Sequence, residues 1–122
     1  MNALTTLLGT EHPLIQAPMA GVQGAALAVA VSNAGALGSL PCAMLTPEAM
    51  ERELTAIQAG TQRPFNVNFF CHTPPASQPD KESAWRVKLT SAYQLHGIDP
   101  LTVGSGPGRA PFSEESLKLM AL

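Results

Sequence analysis

Two short segments of the chain carry residue types from which a ligand site could be built. Residues 14–17 form an apolar run, and residues 18–21 (PMAG) turn the chain out of it. Residues 65–70 read FNVNFF, so in a strand Asn66 and Asn68 lie opposite the aromatic and valine side chains. If the aromatic face meets helices, both carboxamides point into the sheet or barrel interior. A buried carboxamide without a partner costs about 1–3 kcal/mol, so these asparagines require hydrogen-bond partners.

The pattern around these segments predicts an α/β fold with parallel strands. Three short segments, each of strand length, alternate with stretches of helical length. In such folds ligands usually sit at the carboxyl ends of the strands, so the segment 17–21 is the first place to expect function. The predicted strands are 14–17, 36–40 and 65–70, and the predicted helices are 4–8, 24–34, 47–60, 80–95 and one that begins at Ser113.

The clearest helix signal begins at Thr46. Thr46 is a good N-cap, and the next residue is a proline, which is favoured at the first helical position. One apolar face recurs at helical spacing through Met50, Leu54 and Ile57, and Gly60 ends the helix. A similar stripe (Trp85, Leu89, Ala92) predicts one long third helix, in which the aromatic residue packs in the core or on the surface.

Composition excludes several classes of function. Of the 122 residues, 45% are hydrophobic and 13% charged, and the formal net charge is -2. No basic run could follow a phosphate backbone, so nucleic-acid binding is not expected. The longest apolar run, 25–31, is far shorter than the roughly 18 residues that a membrane span needs. The first residues lack the basic and apolar regions of a secretory signal, so we predict a cytoplasmic protein.

The remaining nucleophilic, metal-binding and glycine-rich features predict no separate site. Cys42 and Cys71 are too far apart for a zinc motif and do not form a disulfide framework. His72 follows Cys71, but no third ligand or orienting acid lies in sequence reach, so no metal site is predicted. Residues 104–108 (GSGPG) resemble a phosphate loop only superficially, because they follow a helix and contain a proline; we interpret them as a flexible loop.

Three segments taken together resemble the nitronate monooxygenase family. They are 13–21 (PLIQAPMAG), 32–39 (SNAGALGS) and 64–70 (PFNVNFF), in the family's order and at its spacing. The resemblance implies an FMN-dependent oxidoreductase with a TIM-barrel fold, which oxidises alkyl nitronates with molecular oxygen. A complete barrel needs about 250 residues. The chain is therefore expected to be an N-terminal part, with about three βα units, of one FMN-binding domain that includes residues 1–122.

The resemblance also assigns four cofactor-binding residues. Ala17, Pro18 and Met19 would lie against the flavin ring, largely through their backbone, and Asn68 would bind the flavin. Asn66 shares the face of Asn68 and is a weaker candidate. Without a flavin, the same residues could be a proline-terminated strand with a core methionine and two amides that cap neighbouring strands or loops.

The family's catalytic histidine lies on a later segment. His12, His72 and His96 do not match it, so no catalytic residue is assigned in this chain. Two other functions stay open: a related flavin-dependent enoyl reductase, and a non-catalytic half-barrel. The first would use NAD(P)H where the leading hypothesis uses oxygen. The second would expose edge strands and apolar helix faces and would aggregate. The true substrate and the oligomeric state are not predicted.

Overall fold

The computed structural model describes residues 2–104 and 110–120, which fall into two compact units. Unit one comprises Met1–His72 and Arg109–Leu122, and unit two comprises Thr73–Gly108. Most of the predicted loop 104–108 lies outside the described residues. The elements are, in chain order, α1 (Ala3–Leu8), α2 (Ala25–Asn33), β1 (Gly38–Pro41), α3 (Pro47–Gly60), β2 (Phe65–Asn68), α4 (Pro79–Lys88), α5 (Thr90–Leu95), a 3-10 turn (Pro100–Thr102) and α6 (Glu114–Met120).

The sheet of unit one is parallel, as predicted. β1 and β2 pair from Gly38 opposite Phe65 to Pro41 opposite Asn68, and the intervening α3 makes the crossover. Both strands agree with the predicted segments, but they begin or end up to two residues away from the predicted bounds. The α/β class with parallel strands is therefore confirmed.

The predicted first strand, 14–17, is reduced to one isolated parallel bridge between Ile15 and Leu37. Leu37 donates its N–H to the carbonyl of Leu14 (3.0 Å) and accepts from the N–H of Gln16 (2.9 Å). Within the described residues, the sheet has two strands. The prediction of three strands, and hence of about three βα units, is not confirmed.

Pro18 removes one of the hydrogen bonds that would continue this ladder. In a parallel pair the next rung would place the nitrogen of residue 18 against the carbonyl of Ser39, two residues beyond Leu37. Pro18 has no N–H to donate. The prediction of a buried strand is therefore wrong in extent and burial: the segment pairs at one residue, and Leu14 and Ile15 are 55% and 50% exposed. The proline that ends it removes a hydrogen bond that would have lengthened the strand.

The core of unit one lies on one face of the sheet, beneath the helices. Phe65, Val67 and Phe69 pack against it, which confirms the predicted orientation of that segment. The face of α3 predicted from its spacing is buried, and Thr46 Oγ1 accepts the N–H of Ala49 (3.2 Å) as its N-cap. The buried residues of this cluster are Ala25, Ala28, Leu40, Cys42, Met50, Leu54 and Ile57.

In unit two, the single helix predicted over 80–95 is two helices that meet at Leu89. The hydroxyl of Thr90 donates to the carbonyl of Arg86 (3.4 Å), and such a side-chain bond competes with the helical ladder. Trp85 is 60% exposed, and neither α4 nor α5 buries any residue. The stripe through Leu89 is therefore not a core face. Across residues 2–104 and 110–120, no helix combines the length and apolar character needed to cross a membrane.

Candidate functional site

The carboxyl ends of three parallel segments meet at one edge of unit one. Ile15 pairs with Leu37 just before β1, and the last residue of β1, Pro41, pairs with Asn68 at the end of β2. The N–H of Cys42 donates to the carbonyl of Asn68 (2.9 Å), which continues the pairing one residue further. This topology brings the segment 17–21 to the same edge as the end of β2, where parallel α/β proteins bind ligands.

The segment 17–21 presents backbone donors at this edge. Its turn is closed by a bond from the N–H of Val22 to the carbonyl of Met19 (3.3 Å), and Gly21 adopts a φ of 81°. Within the described residues, the N–H groups of Ala17, Met19 and Ala20 have no acceptor. Met19 is 46% exposed. The segment can therefore offer hydrogen bonds and one apolar side chain to a ligand.

The two asparagines of β2 differ in their hydrogen bonding. Asn66 donates through Nδ2 to Ser39 Oγ (3.2 Å), so its carboxamide is held by β1. The side chain of Asn68 is half-buried and makes no hydrogen bond to any described residue. Asn66 thus fits the interpretation as a structural amide, whereas Asn68 has a carboxamide available to a ligand.

Two glutamines that sequence reasoning missed form a hydrogen-bonded ring with Ser39. The N–H of Ser39 donates to Gln16 Oε1 (3.0 Å), Gln16 Nε2 donates to Gln23 Oε1 (2.6 Å), and Gln23 Nε2 donates to the carbonyl of Ser39 (2.9 Å). A polar residue inside an apolar strand was a signal for Gln16. Gln23 has no comparable signal, because its role depends on the loop folding back over β1.

The start of α2 does not offer an anion site. Gly24 caps this helix without a side chain, but the carboxylate of Glu53 on α3 accepts the N–H of Ala25 (2.7 Å). Glu53 also lines a recess of about 490 Å³ beside the loop, together with Met44 and Pro41. The positive end of the helix is therefore already occupied by a residue of the protein.

The two cysteines have opposite environments. Cys42 lies in the core, and burial raises its pKa to about 11, with a backbone hydrogen bond to Asn68 lowering it in part. Cys71 is exposed. Among residues 2–104 and 110–120, no group of three or more His, Cys, Asp or Glu side chains is placed to hold a metal ion.

This difference predicts selective labelling of the thiols. At pH 8 a maleimide or disulfide reagent should modify Cys71 rapidly and Cys42 slowly, because the thiolate is the reactive form. The folded-state pKa of Cys42 lies above its ordinary value of 9.0. The stability that this one thiol contributes is therefore fully present below about pH 9 and is lost as the pH rises towards 11. Mass spectrometry of the labelled chain checks the first point, with Cys71→Ser as control. Two equally fast thiols would contradict it.

The chain is similar to members of one described family. The profile of the family described as nitronate monooxygenase matches residues 1–99. A nitronate monooxygenase of Pseudomonas aeruginosa is 44% identical over 99 residues, which cover 81% of this chain and 28% of that protein. A solved structure of nitroalkane oxidase from Streptomyces ansochromogenes superposes with a TM-score of 0.68 at 29% identity, covering 97% of this chain and 31% of that one.

A relative with another activity is also similar. The (3aS,4S,5R,7aS)-5-hydroxy-7a-methyl-1-oxo-octahydro-1H-indene-4-carboxyl-CoA dehydrogenase of Mycobacterium tuberculosis is 45% identical over 65 residues, 53% of this chain and 18% of that protein. The chain spans less than a third of the length of each of these proteins. Because the family profile covers most of the chain, this protein belongs to the nitronate monooxygenase family.

Proposed function

We propose that this chain forms the N-terminal part of a TIM-barrel domain that binds FMN and oxidises alkyl nitronates with molecular oxygen. The observation that supports the proposal is the carboxyl edge of the parallel segments, at which both the segment 17–21 and Asn68 lie, in a member of the family. We also propose that residues 1–122 belong to one FMN-binding domain, that its small-molecule partners are an alkyl nitronate and oxygen, and that the protein is cytoplasmic.

The residues at this edge fit a flavin. A flavin ring has a polar edge that accepts and donates hydrogen bonds and broad apolar faces. Ala17, Met19 and Ala20 supply backbone N–H groups without acceptors among the described residues, and Asn68 supplies a carboxamide that can donate and accept. Pro18 and Met19 would lie against the ring. When bound, FMN supplies the redox chemistry, and these residues bind and orient it.

We infer no catalytic role for the three histidines. The backbone of His12 bonds to the carbonyl of Gly35 (2.9 Å), before the first parallel segment and therefore away from the carboxyl edge. The ring of His72 lies 6.2 Å from that of Phe70 on an exposed part of the chain. His96 ends α5 in unit two. We therefore assign binding residues in this chain and no catalytic base.

Replacing Asn68 by alanine tests the site directly. We expect Asn68→Ala to weaken FMN binding about 10- to 100-fold, because one or two ligand hydrogen bonds, worth roughly 1–3 kcal/mol, are lost. The measurement is a titration of FMN followed by flavin fluorescence. Asn66→Ala is the matched control on the same face: it should cost stability through Ser39 and change FMN affinity less. Equal losses in both variants would contradict the assignment of Asn68.

A second function within the enzymes is a flavin-dependent reductase or dehydrogenase, such as an enoyl reductase. The similarity to the mycobacterial dehydrogenase favours it. The two functions differ in the partner of the flavin: oxygen with a nitronate, or NAD(P)H with an unsaturated or hydroxylated substrate. Oxygen consumption that depends on an alkyl nitronate supports the first, and NAD(P)H oxidation without a nitronate supports the second.

The non-catalytic alternative is a half-barrel that serves only as a binding surface. Leu14 and Ile15, on the first parallel segment, are 55% and 50% exposed. Such an open apolar edge favours self-association. Light scattering of the purified 122-residue chain, with and without FMN, separates the two proposals. A monomer that retains FMN supports the flavin site, whereas a flavin-free aggregate supports the half-barrel.

A further inference from the structure

The carbonyl and N–H of Ser39 lie where the parallel ladder would continue, with the N–H facing the carbonyl of Gln16 and the carbonyl facing the nitrogen of residue 18. Leu37, two residues earlier, makes both ladder bonds with the first segment. Pro18 has no N–H, so the carbonyl of Ser39 cannot accept a hydrogen bond from the backbone at position 18. Ser39 is completely buried, so both of its backbone groups require partners inside the protein.

Two side chains supply those partners. Gln16 accepts the N–H of Ser39 (3.0 Å), and Gln23 donates to its carbonyl (2.9 Å). The glutamines are joined to each other at 2.6 Å, and Gln16 Nε2 also approaches the carbonyls of Ser39 (3.3 Å) and Ala17 (3.2 Å). The two carboxamides thus take the place of the missing rung.

The geometry points to Gln23 as the positioning residue of the segment 17–21. Gln16 stands before this segment and Gln23 after it, and both are bonded to the same buried residue of β1. The ring therefore fixes the two ends of the loop, while Pro18 prevents the loop from joining the sheet. That this position serves flavin binding rests on the proposed function, but the positioning itself does not.

The inference is tested on the 122-residue chain without any ligand. In Gln23→Met, which keeps the length of the side chain and removes its hydrogen bonds, we expect the backbone amide resonances of residues 19–22 to shift. In Gln16→Met we expect the amide of Ser39 to exchange with solvent about tenfold faster, because its acceptor is gone. Gln62→Met is the matched control, since Gln62 is exposed and has no hydrogen bond within the described residues.

Rescue separates positioning from general destabilisation. Pro18→Ala restores an N–H at position 18, which can donate to Ser39 if the ladder extends. Added to the Gln23→Met variant, Pro18→Ala should recover part of the lost thermal stability. If Gln23 only filled space, Pro18→Ala would recover none of it. If Gln23→Met does not fold, Gln23→Asn keeps the carboxamide and shortens its reach. Loop resonances and Ser39 exchange that match those of Gln62→Met would overturn the inference.

The effect of Gln23 on flavin binding is measured separately, as the affinity of the chain for FMN. If the chain binds FMN, we expect Gln23→Met to weaken its affinity about tenfold, and unchanged affinity would overturn the role of Gln23 towards the flavin. If the chain binds no FMN, the proposed function fails, while the ligand-free measurements still decide whether Gln23 positions the loop.

Discussion

Replacing Gly38 by alanine should prevent unit one from folding, or lower its free energy of unfolding by about 3 kcal/mol or more. A Cβ at this position would lie 2.1 Å from the carbonyl oxygen of Ala28 and 2.7 Å from Ser32 Oγ. The first contact is with the backbone of α2, so no rotamer change can relieve it. Circular dichroism and urea unfolding of Gly38→Ala measure the effect.

Gly60→Ala is the matched control for this prediction. A Cβ there would approach the side chain of Val29 at 2.9 Å, at the end of a helix on an exposed position. Because that contact is with a side chain, which can shift more easily than the backbone of α2, we expect a smaller cost of about 1–2 kcal/mol. A Gly38→Ala chain as stable as the Gly60→Ala chain would show that α2 does not approach β1 as closely as described.

Replacing Ser32 by alanine should cost about 2–4 kcal/mol of unfolding free energy. This hydroxyl is completely buried, accepts the N–H of Gly38 (3.2 Å) and donates to the carbonyl of Pro64 (3.0 Å). Alanine removes both bonds and leaves two backbone groups unpaired beside β1 and before β2. The measurement is again urea unfolding, with unchanged m-value as evidence of a two-state transition.

Ser91→Ala is the control for the serine prediction, since Ser91 lies exposed on α5. Its substitution should change stability by less than about 0.5 kcal/mol. If Ser32→Ala were equally mild, water or a shifted backbone would have to satisfy Gly38 and Pro64, and the account of the tight α2–β1 contact would be wrong.

Local signals predicted the elements that depend on local chemistry. The cap at Thr46 and the face through Met50, Leu54 and Ile57 correctly gave α3, and the alternation in residues 65–70 correctly gave the faces of β2. Two predictions failed for different reasons: the strand over 14–17 is cut short at a proline without an N–H, and the helix over 80–95 is divided beside a competing hydrogen bond. Spacing alone could not show that a threonine hydroxyl competes with the ladder near Leu89.

The candidate site was only partly predictable. Period-two alternation placed Asn66 and Asn68 on one face, but only the structure distinguishes the bonded carboxamide from the available one. The hydrogen-bonded ring joins Gln16, Gln23 and Ser39, which lie on separate segments of the chain. No pattern within one segment predicts such a contact. The close approach at Gly38 was equally hidden, because a glycine in a strand has several possible causes.

We expect the carboxyl edge that carries the segment 17–21 and Asn68 to bind FMN. The most direct measurement is a titration of the ¹⁵N-labelled 122-residue chain with FMN, followed through its assigned amide resonances. We predict that the largest changes occur at Met19, Ala20 and Gly21 and at the side-chain amide of Asn68, and that α4 and α5 do not respond. Saturable changes confined to other residues, or none at all, would contradict the account.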